Sequence, residues 1–285
     1  MTNAHDCTVT AADGTTITVH VSGPESGIPL VLLHGVGSSS LSYDWLMPDL
    51  EGRQVFRVDA RGHGSSARAP GTYTLPHYFD DAVLVLEQLV KRPAIAAGFS
   101  MGGMVAWRLA QRRPDLLVAV FLEEPIVFIE ETYAGPLPQI LRHTIEQEMD
   151  WEARGLDADA ASAELADNPA GPGILMRDIL HADGVRTLAI STMIRDRGTM
   201  EAAIDATMSA GIDTELPLRV PAEIIAGGNA GGSAFPTRDA AVIALSHPEI
   251  PVHRVEDAGH DLHNSFAGRE TYRSVLLDFL VRFGD

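Results

Sequence analysis

The chain of 285 residues contains a single cysteine, Cys7, so no internal disulfide can form. Cys7 lies near a polar terminus with no base beside it and reads as incidental. Lysine is almost missing too. Lys91 is the only one, and the other bases are arginines. With 21 bases against 39 acids the formal charge is −18. Such a charge repels phosphate backbones and anionic lipid, which excludes nucleic acid and membrane as main partners. No apolar run reaches bilayer-spanning length. The opening "MTNAHDCTVTAADG" lacks the basic-then-apolar pattern of a secretory leader, so the expected location is the cytoplasm. Internal repeats, low-complexity tracts, metal-ligand clusters and dinucleotide fingerprints are all missing. The expectation is no cofactor and no metal.

What remains is an ordinary globular composition, 45% hydrophobic. The length suits one large domain, or one domain with a sizeable insertion. Residues 7–22 alternate and turn at Ala12-Asp13-Gly14, which predicts a hairpin. "IPLVLLHG" (28–35), "QVFRVDARGHG" (54–64), "AIAAGF" (94–99) and "LLVAVFLEEP" (116–125) are apolar runs of the kind buried on both faces of a sheet. Helical spacing follows over 75–91 and from Met101 to Arg113. The strand signal fades between 126 and 219, where acidic amphipathic stretches are broken at Gly135-Pro136, Asn168-Pro169 and Gly171-Pro172-Gly173. It returns at 220–228 and 250–260, with helices expected near 237–246 and from about Ser265 to Phe283. The pattern predicts an α/β fold: a mostly parallel sheet, helices on both faces, a core of 1–125 and 220–285, and a helical cap over 126–219.

Gly98-Phe99-Ser100-Met101-Gly102 fits G-x-S-x-G between an apolar strand and a helix. At such a turn the residues two away from the serine must be small, because strand and helix approach closely there. The turn lifts the hydroxyl above the sheet and aims helix N–H groups at any anion formed. Ser100 is therefore the candidate nucleophile. A serine needs a base, and the base an orienting acid. His260 in "EDAGHDLHN" follows the last predicted strand at the sheet edge where ligands gather. His263 is its competitor, with a surface or satisfied polar role as the expected alternative. His34 and His63, each beside a glycine at a strand end, are expected to hold loop backbones.

The stretches "LLHGVGSSS" (32–40), "DARGHGSS" (59–66), "GFSMGG" (98–103) and "EDAGH" (256–260) together resemble the α/β-hydrolases, in the family's order and over nearly the whole chain outside the cap. The resemblance implies Ser100 as nucleophile, His260 as base, and an oxyanion hole formed by the backbone N–H groups of Met101 and Val36. It departs from the family at the acid. The loop after "AEIIAGG" holds no acid from Ile224 until Asp239, which lies in a predicted helix. Members similar to haloalkane dehalogenases and zearalenone lactone hydrolases take their acid from the strand after the nucleophile helix. Here that strand ends Leu122-Glu123-Glu124-Pro125, and the position before proline implies Glu124, with Glu123 as the competitor and both acids facing solvent as the alternative. Asp257 and Asp261 flank the histidine and rank lower.

The implied activity is a cofactor-independent serine hydrolase acting on an ester or lactone of a small, mainly apolar molecule through an acyl-enzyme. Carbon–carbon bond hydrolysis on the same triad, a cofactor-free oxygenase or lyase, and a non-catalytic ligand-binding receptor are the alternatives. A serine at position 100 argues against a dehalogenase, which needs a carboxylate nucleophile. The expected partner is a small-molecule substrate. Oligomeric state stays open, with a homodimer as one candidate. Of the apolar cap residues Trp151, Leu156, Ile174, Leu175, Met176, Ile179, Leu180, Leu188, Ile190, Met193, Ile194, Met200 and Met208, most are expected to pack cap helices together and a few to line a pocket above Ser100, with His181 lying away from it.

Overall fold

A computed structural model describes residues 4–128, 135 and 137–284. Pro136 and the stretch 129–134, at the start of the expected cap, lie outside the described residues.

Strands β1 (His5–Thr10) and β2 (Thr16–Ser22) form the expected hairpin. β3 (Leu30–Leu33), β4 (Val55–Val58), β5 (Ala94–Phe99) and β6 (Leu117–Glu123) follow. A small ladder pairs β7 (Pro169–Gly171) with β8 (Ile174–Leu175), and β9 (Ala222–Gly227) and β10 (Val252–Val255) complete the strands. The main sheet has eight strands in the order β1-β2-β4-β3-β5-β6-β9-β10. Only the β1–β2 and β2–β4 pairings are antiparallel. From β4 through β10 every pair runs parallel.

The central strands read as unbroken apolar runs because both faces are covered. Successive side chains of β3 point to opposite faces. Leu30 and Leu32 pack with Tyr43, Leu46 and Phe279, whereas Val31 and Leu33 pack with Val105 and Trp107. The second face is covered by α1 (Leu75–Val85), which continues as a π turn over Leu86–Val90, and α2 (Met101–Arg112). The first is covered by a 3₁₀ segment, Ser40–Leu50, and the C-terminal helix. Periodicity gave no sign of the 3₁₀ segment, because its apolar residues, Leu41, Tyr43, Trp45, Leu46, Met47 and Leu50, are not confined to one face at α-helical spacing.

Between β6 and β9 lie α3 (Leu137–Arg154), α4 (Ala158–Ala166), α5 (Met176–Ile179), α6 (Ala182–Ile194) and α7 (Gly198–Ile204). Asp157 caps α4 by accepting from the Ala160 N–H at 2.9 Å. Trp151, Ala161 and Ala189 form a small core of their own here. α8 (Thr237–Ser246) and α9 (Arg269–Phe283) complete the chain.

Two boundaries differ from expectation. β10 stops at Val255 because Glu256 and Asp257 turn outward to solvent. The last helix begins at Arg269, not Ser265, because the backbone before it is already engaged. Ser265 bridges Leu180 in antiparallel fashion, the Asn264 carbonyl accepts from the His181 N–H, and the Phe266 N–H donates to the Ile179 carbonyl. This seam ties the helical segment to the loop that carries His260. No helix among the described residues is long and apolar enough to cross a membrane.

Candidate active site

Ser100 sits at the junction of β5 and α2 with φ 52° and ψ −110°, a strained backbone for a residue with a side chain. The packing shows why its neighbours are glycines. A Cβ on Gly98 would lie 2.2 Å from the Gly102 carbonyl oxygen, and one on Gly102 would lie 2.1 Å from that of Leu33. The Ser100 N–H is held by the Glu123 carbonyl at 2.9 Å, which locks the elbow to the end of β6.

His260 reaches this serine from the loop after β10. Its Nε2 lies 3.1 Å from Ser100 Oγ, and its Nδ1 lies 2.9 Å from Glu124 Oε2. A carboxylate only accepts, so the proton sits on Nδ1 and Nε2 keeps its lone pair for the serine hydroxyl. Burial works against the imidazolium, but the hydrogen bond and charge of Glu124, with the charges of Asp261 and Glu123 behind them, lift the pKa of His260 above its ordinary 6.5.

Glu124 follows β6 directly and also has a positive φ, 49°. Its carboxylate is fully buried. Oε1 accepts from the Gly227 N–H at 2.7 Å and the Ser233 hydroxyl at 2.6 Å. Oε2 accepts from the N–H groups of Ala234 and Phe235 in addition to His260. The loop that lacks an acid therefore wraps the acid of the neighbouring strand. These donors were missed in the sequence, where the only sign of them is the run "GGNAGGSAF". Its small residues let the loop lie flush: a Cβ on Gly228 would stand 2.0 Å from the Glu256 carbonyl oxygen.

The competing residues are also paired, and both acids are buried rather than solvated. Glu123 Oε1 accepts from the His263 N–H at 3.0 Å and Oε2 from its Nδ1 at 2.7 Å. His263 is satisfied, as one expectation held, but it is wholly buried and not at the surface. Glu123, Asp261 and His263 offer atoms within 4.8 Å of one another, the spacing of a metal site. The hydrogen bonds inside the group already occupy both carboxylate oxygens of Glu123. Asp257 is exposed, and Asp261 accepts from Asn264.

His34 and His63 hold loop backbones. His34 Nδ1–H donates to the Gly35 carbonyl at 2.8 Å and Nε2 accepts from the Ala60 N–H at 3.1 Å. His63 Nδ1–H donates to the Arg61 carbonyl at 3.0 Å and Nε2 accepts from the Gly37 N–H at 3.3 Å. Burial lowers the pKa of both, consistent with neutral rings that each give and take one hydrogen bond. The Gly35 carbonyl accepts from His34 and from the Ser38 N–H, so the Val36 N–H of the same planar peptide points the other way.

Ser100, His260, Val36 and Met101 all border one cavity of about 190 Å³. Its other walls include Met104, Ile126, Leu141, Leu188 and Met208. Of the apolar residues weighed in the helical segment, Leu188 and Met208 line this cavity. His181 packs instead on Phe266, with ring centres 4.3 Å apart. Among the described residues Asp261 is the only acid lining the cavity, and no lysine or arginine does. A larger groove of about 540 Å³ lies elsewhere, among the ion-paired side chains of Glu148, Arg195 and Arg197.

The sequence model described as "Alpha/beta hydrolase family" matches residues 30–273. The AB hydrolase superfamily protein YfhM of Bacillus subtilis is 32% identical over 145 residues, which cover 48% of this chain and 50% of that protein. The 2-(acetamidomethylene)succinate hydrolase of Mesorhizobium japonicum is 32% identical over 115 residues, 40% of this chain and 41% of that protein. The chain thus spans about half or less of these curated relatives. The solved enol-lactonase from Burkholderia xenovorans superposes with a TM-score of 0.73 at 21% identity, covering 96% of this chain and 100% of that one. At that identity the likeness speaks for the fold alone.

Proposed function

The chain belongs to the alpha/beta hydrolase family, and from that premise we propose that it is a cofactor-independent serine hydrolase cleaving an ester or lactone of a small, mainly apolar substrate. The observation that carries this reading is the unbroken chain Ser100–His260–Glu124 at the wall of an apolar cavity.

In this reading Ser100 Oγ attacks the substrate carbonyl as His260 Nε2 takes its proton. Glu124 holds the ring through Nδ1 and stabilises the imidazolium that forms. The N–H groups of Met101 and Val36 receive the oxyanion, a role in which losing one donor costs about 3 kcal/mol. His260 returns the proton to the leaving oxygen. The acyl-enzyme is then cleaved by water that His260 activates. The helical segment, 126–219, acts as a cap whose Leu188 and Met208 shape the pocket. Apolar walls and the lone acid favour an uncharged substrate.

A receptor on the same fold had its support in the acid missing after β9. The 2.9 Å contact between Glu124 and His260 supports the hydrolase reading over the receptor. Active-site titration tests the proposal. A phosphonate is expected to label Ser100 at one equivalent, and a chromogenic short-chain ester to give a burst. Absence of both labelling and turnover would leave only ligand binding and overturn the reading.

A further inference from the structure

The Glu123–His263 pair has no part in the proton transfers above, yet it is built with unusual completeness. The Glu123 carboxylate grips one residue twice, at the ring and at the backbone amide. Tyr43 stacks on the ring at 5.3 Å and Phe99 meets it edge-on at 5.0 Å. Nε2 accepts from the Asn264 side-chain amide at 3.2 Å, and the same amide also donates to both oxygens of Asp261. The His263 carbonyl accepts from Arg269 Nε at 3.0 Å, and the two terminal nitrogens of Arg269 grip Asp183 in α6 at 2.9 and 3.0 Å. Residue 263 is therefore fixed at its ring, its amide and its carbonyl.

A buried carboxylate hydrogen-bonded to an imidazole is a poor device for stability alone, since desolvating the charge is costly and apolar residues of similar volume commonly serve as well. It is a good device for register. Glu123 and Glu124 are consecutive, and each holds one of two histidines three residues apart. Phe99 lies 5.0 Å from both imidazole rings, so one side chain forms a wall for each. Whatever sets residue 263 against the end of β6 also sets where His260 lies between Ser100 and Glu124.

Resting on the serine-hydrolase reading above, we propose that the buried Glu123–His263 pair, clamped by Arg269, is a positioning device that holds His260 at bonding distance from Ser100 and Glu124 together. The pair touches no substrate. It acts by keeping both His260 contacts, at 3.1 and 2.9 Å, formed at once.

Two variants test this, Glu123→Gln and Arg269→Lys. Glutamine keeps the shape but offers one acceptor where two donors converge. Lysine keeps the charge of Arg269, which lies over the Trp45 ring, but cannot reproduce its three directed hydrogen bonds. The measurements are the rate of Ser100 phosphonylation, kcat and KM for a neutral ester, and the pH profile. Misplacement of a catalytic group by about 1 Å can cost ~10²-fold. Glu123→Gln is expected to lose kcat and labelling rate on that scale with KM little changed, and Arg269→Lys to lose roughly 10-fold.

The pH profile is read on Arg269→Lys, where no charge is removed. The groups facing His260 are Ser100, Glu124 and Asp261, with Glu123 behind. Those facing His263 are Glu123, Asp261, Arg269, Tyr43 and Tyr272. A looser His260–Glu124 bond moves the acid limb to lower pH. Folded variants with wild-type kcat, labelling rate and acid limb would overturn the proposal. If Glu123→Gln does not fold, Arg269→Lys decides alone. Wild-type protein that takes no label at all would instead sink the hydrolase reading.

Discussion

Two glutamate–histidine pairs lie side by side at the end of β6, drawn from consecutive acids and from histidines three residues apart. In one, His260 keeps 29% of its side chain exposed and Glu124 none. In the other, His263 and Glu123 are 0% and 1% exposed. Burial opposes the charged form of both histidines, but the neighbouring carboxylates outweigh it and raise both pKa values; each carboxylate accepts from Nδ1, and both pairs touch Phe99. The difference lies beyond the far nitrogen. His260 Nε2 meets a hydroxyl at a cavity wall, and His263 Nε2 meets an amide in the core. A carboxylate and an imidazole do not make an active site by themselves. Access and the third partner decide whether the pair moves a proton or holds a loop.

Changing the third partner of each pair breaks this comparison most directly. Ser100→Ala is expected to lower turnover about 10⁶-fold and to abolish phosphonate labelling, with stability little affected. Retained turnover would move the nucleophile elsewhere. Next in size is the acid: Glu124→Gln should reduce kcat by about 10⁴, because the ring loses its orienting acceptor and the developing imidazolium its counter-charge. A smaller loss there than in Glu123→Gln would reverse the assignment of the two pairs. Asn264→Ala is the counterpart of Ser100→Ala in the buried pair. It leaves His263 Nε2 without a donor, so unfolding in urea should show about 1–3 kcal/mol of lost stability while turnover falls far less than in the serine variant. The smallest effect is a shift in pH. In the proposed mechanism His260 acts as base only when neutral, and its pKa is raised, so kcat/KM should fall as pH drops through a value above 6.5. An acid limb centred below 6.5 would mean that Glu124 does not support the imidazolium.

The parts of this molecule that depend on near neighbours in sequence were legible. Apolar runs bounded by glycine gave the central strands, and helical spacing placed α2 and α8 closely. Ser100 was legible because its elbow imposes its demands within five residues. His260 was singled out by its position after the last strand and Glu124 by the family resemblance, and the structure brings both within hydrogen-bond distance in one chain with Ser100. What could not be read were pairings between distant segments. Nothing in "LEEP" says that both acids are buried and both histidines taken. The donors from Gly227, Ser233, Ala234 and Phe235 carry no side-chain signature apart from one hydroxyl. The late start of α9 has the same origin, since residues 264–266 pair with 179–181, a partner some 85 positions earlier.

Five donors converge on Glu124: one from the end of β9, three from the turn after it, and His260. They belong to the scaffold and stay in place when the side chain is removed. A Glu124→Ala protein would thus keep an empty mould already polarised for a small anion. Added formate should settle into it and restore part of the missing rate, while chloride at equal ionic strength should not.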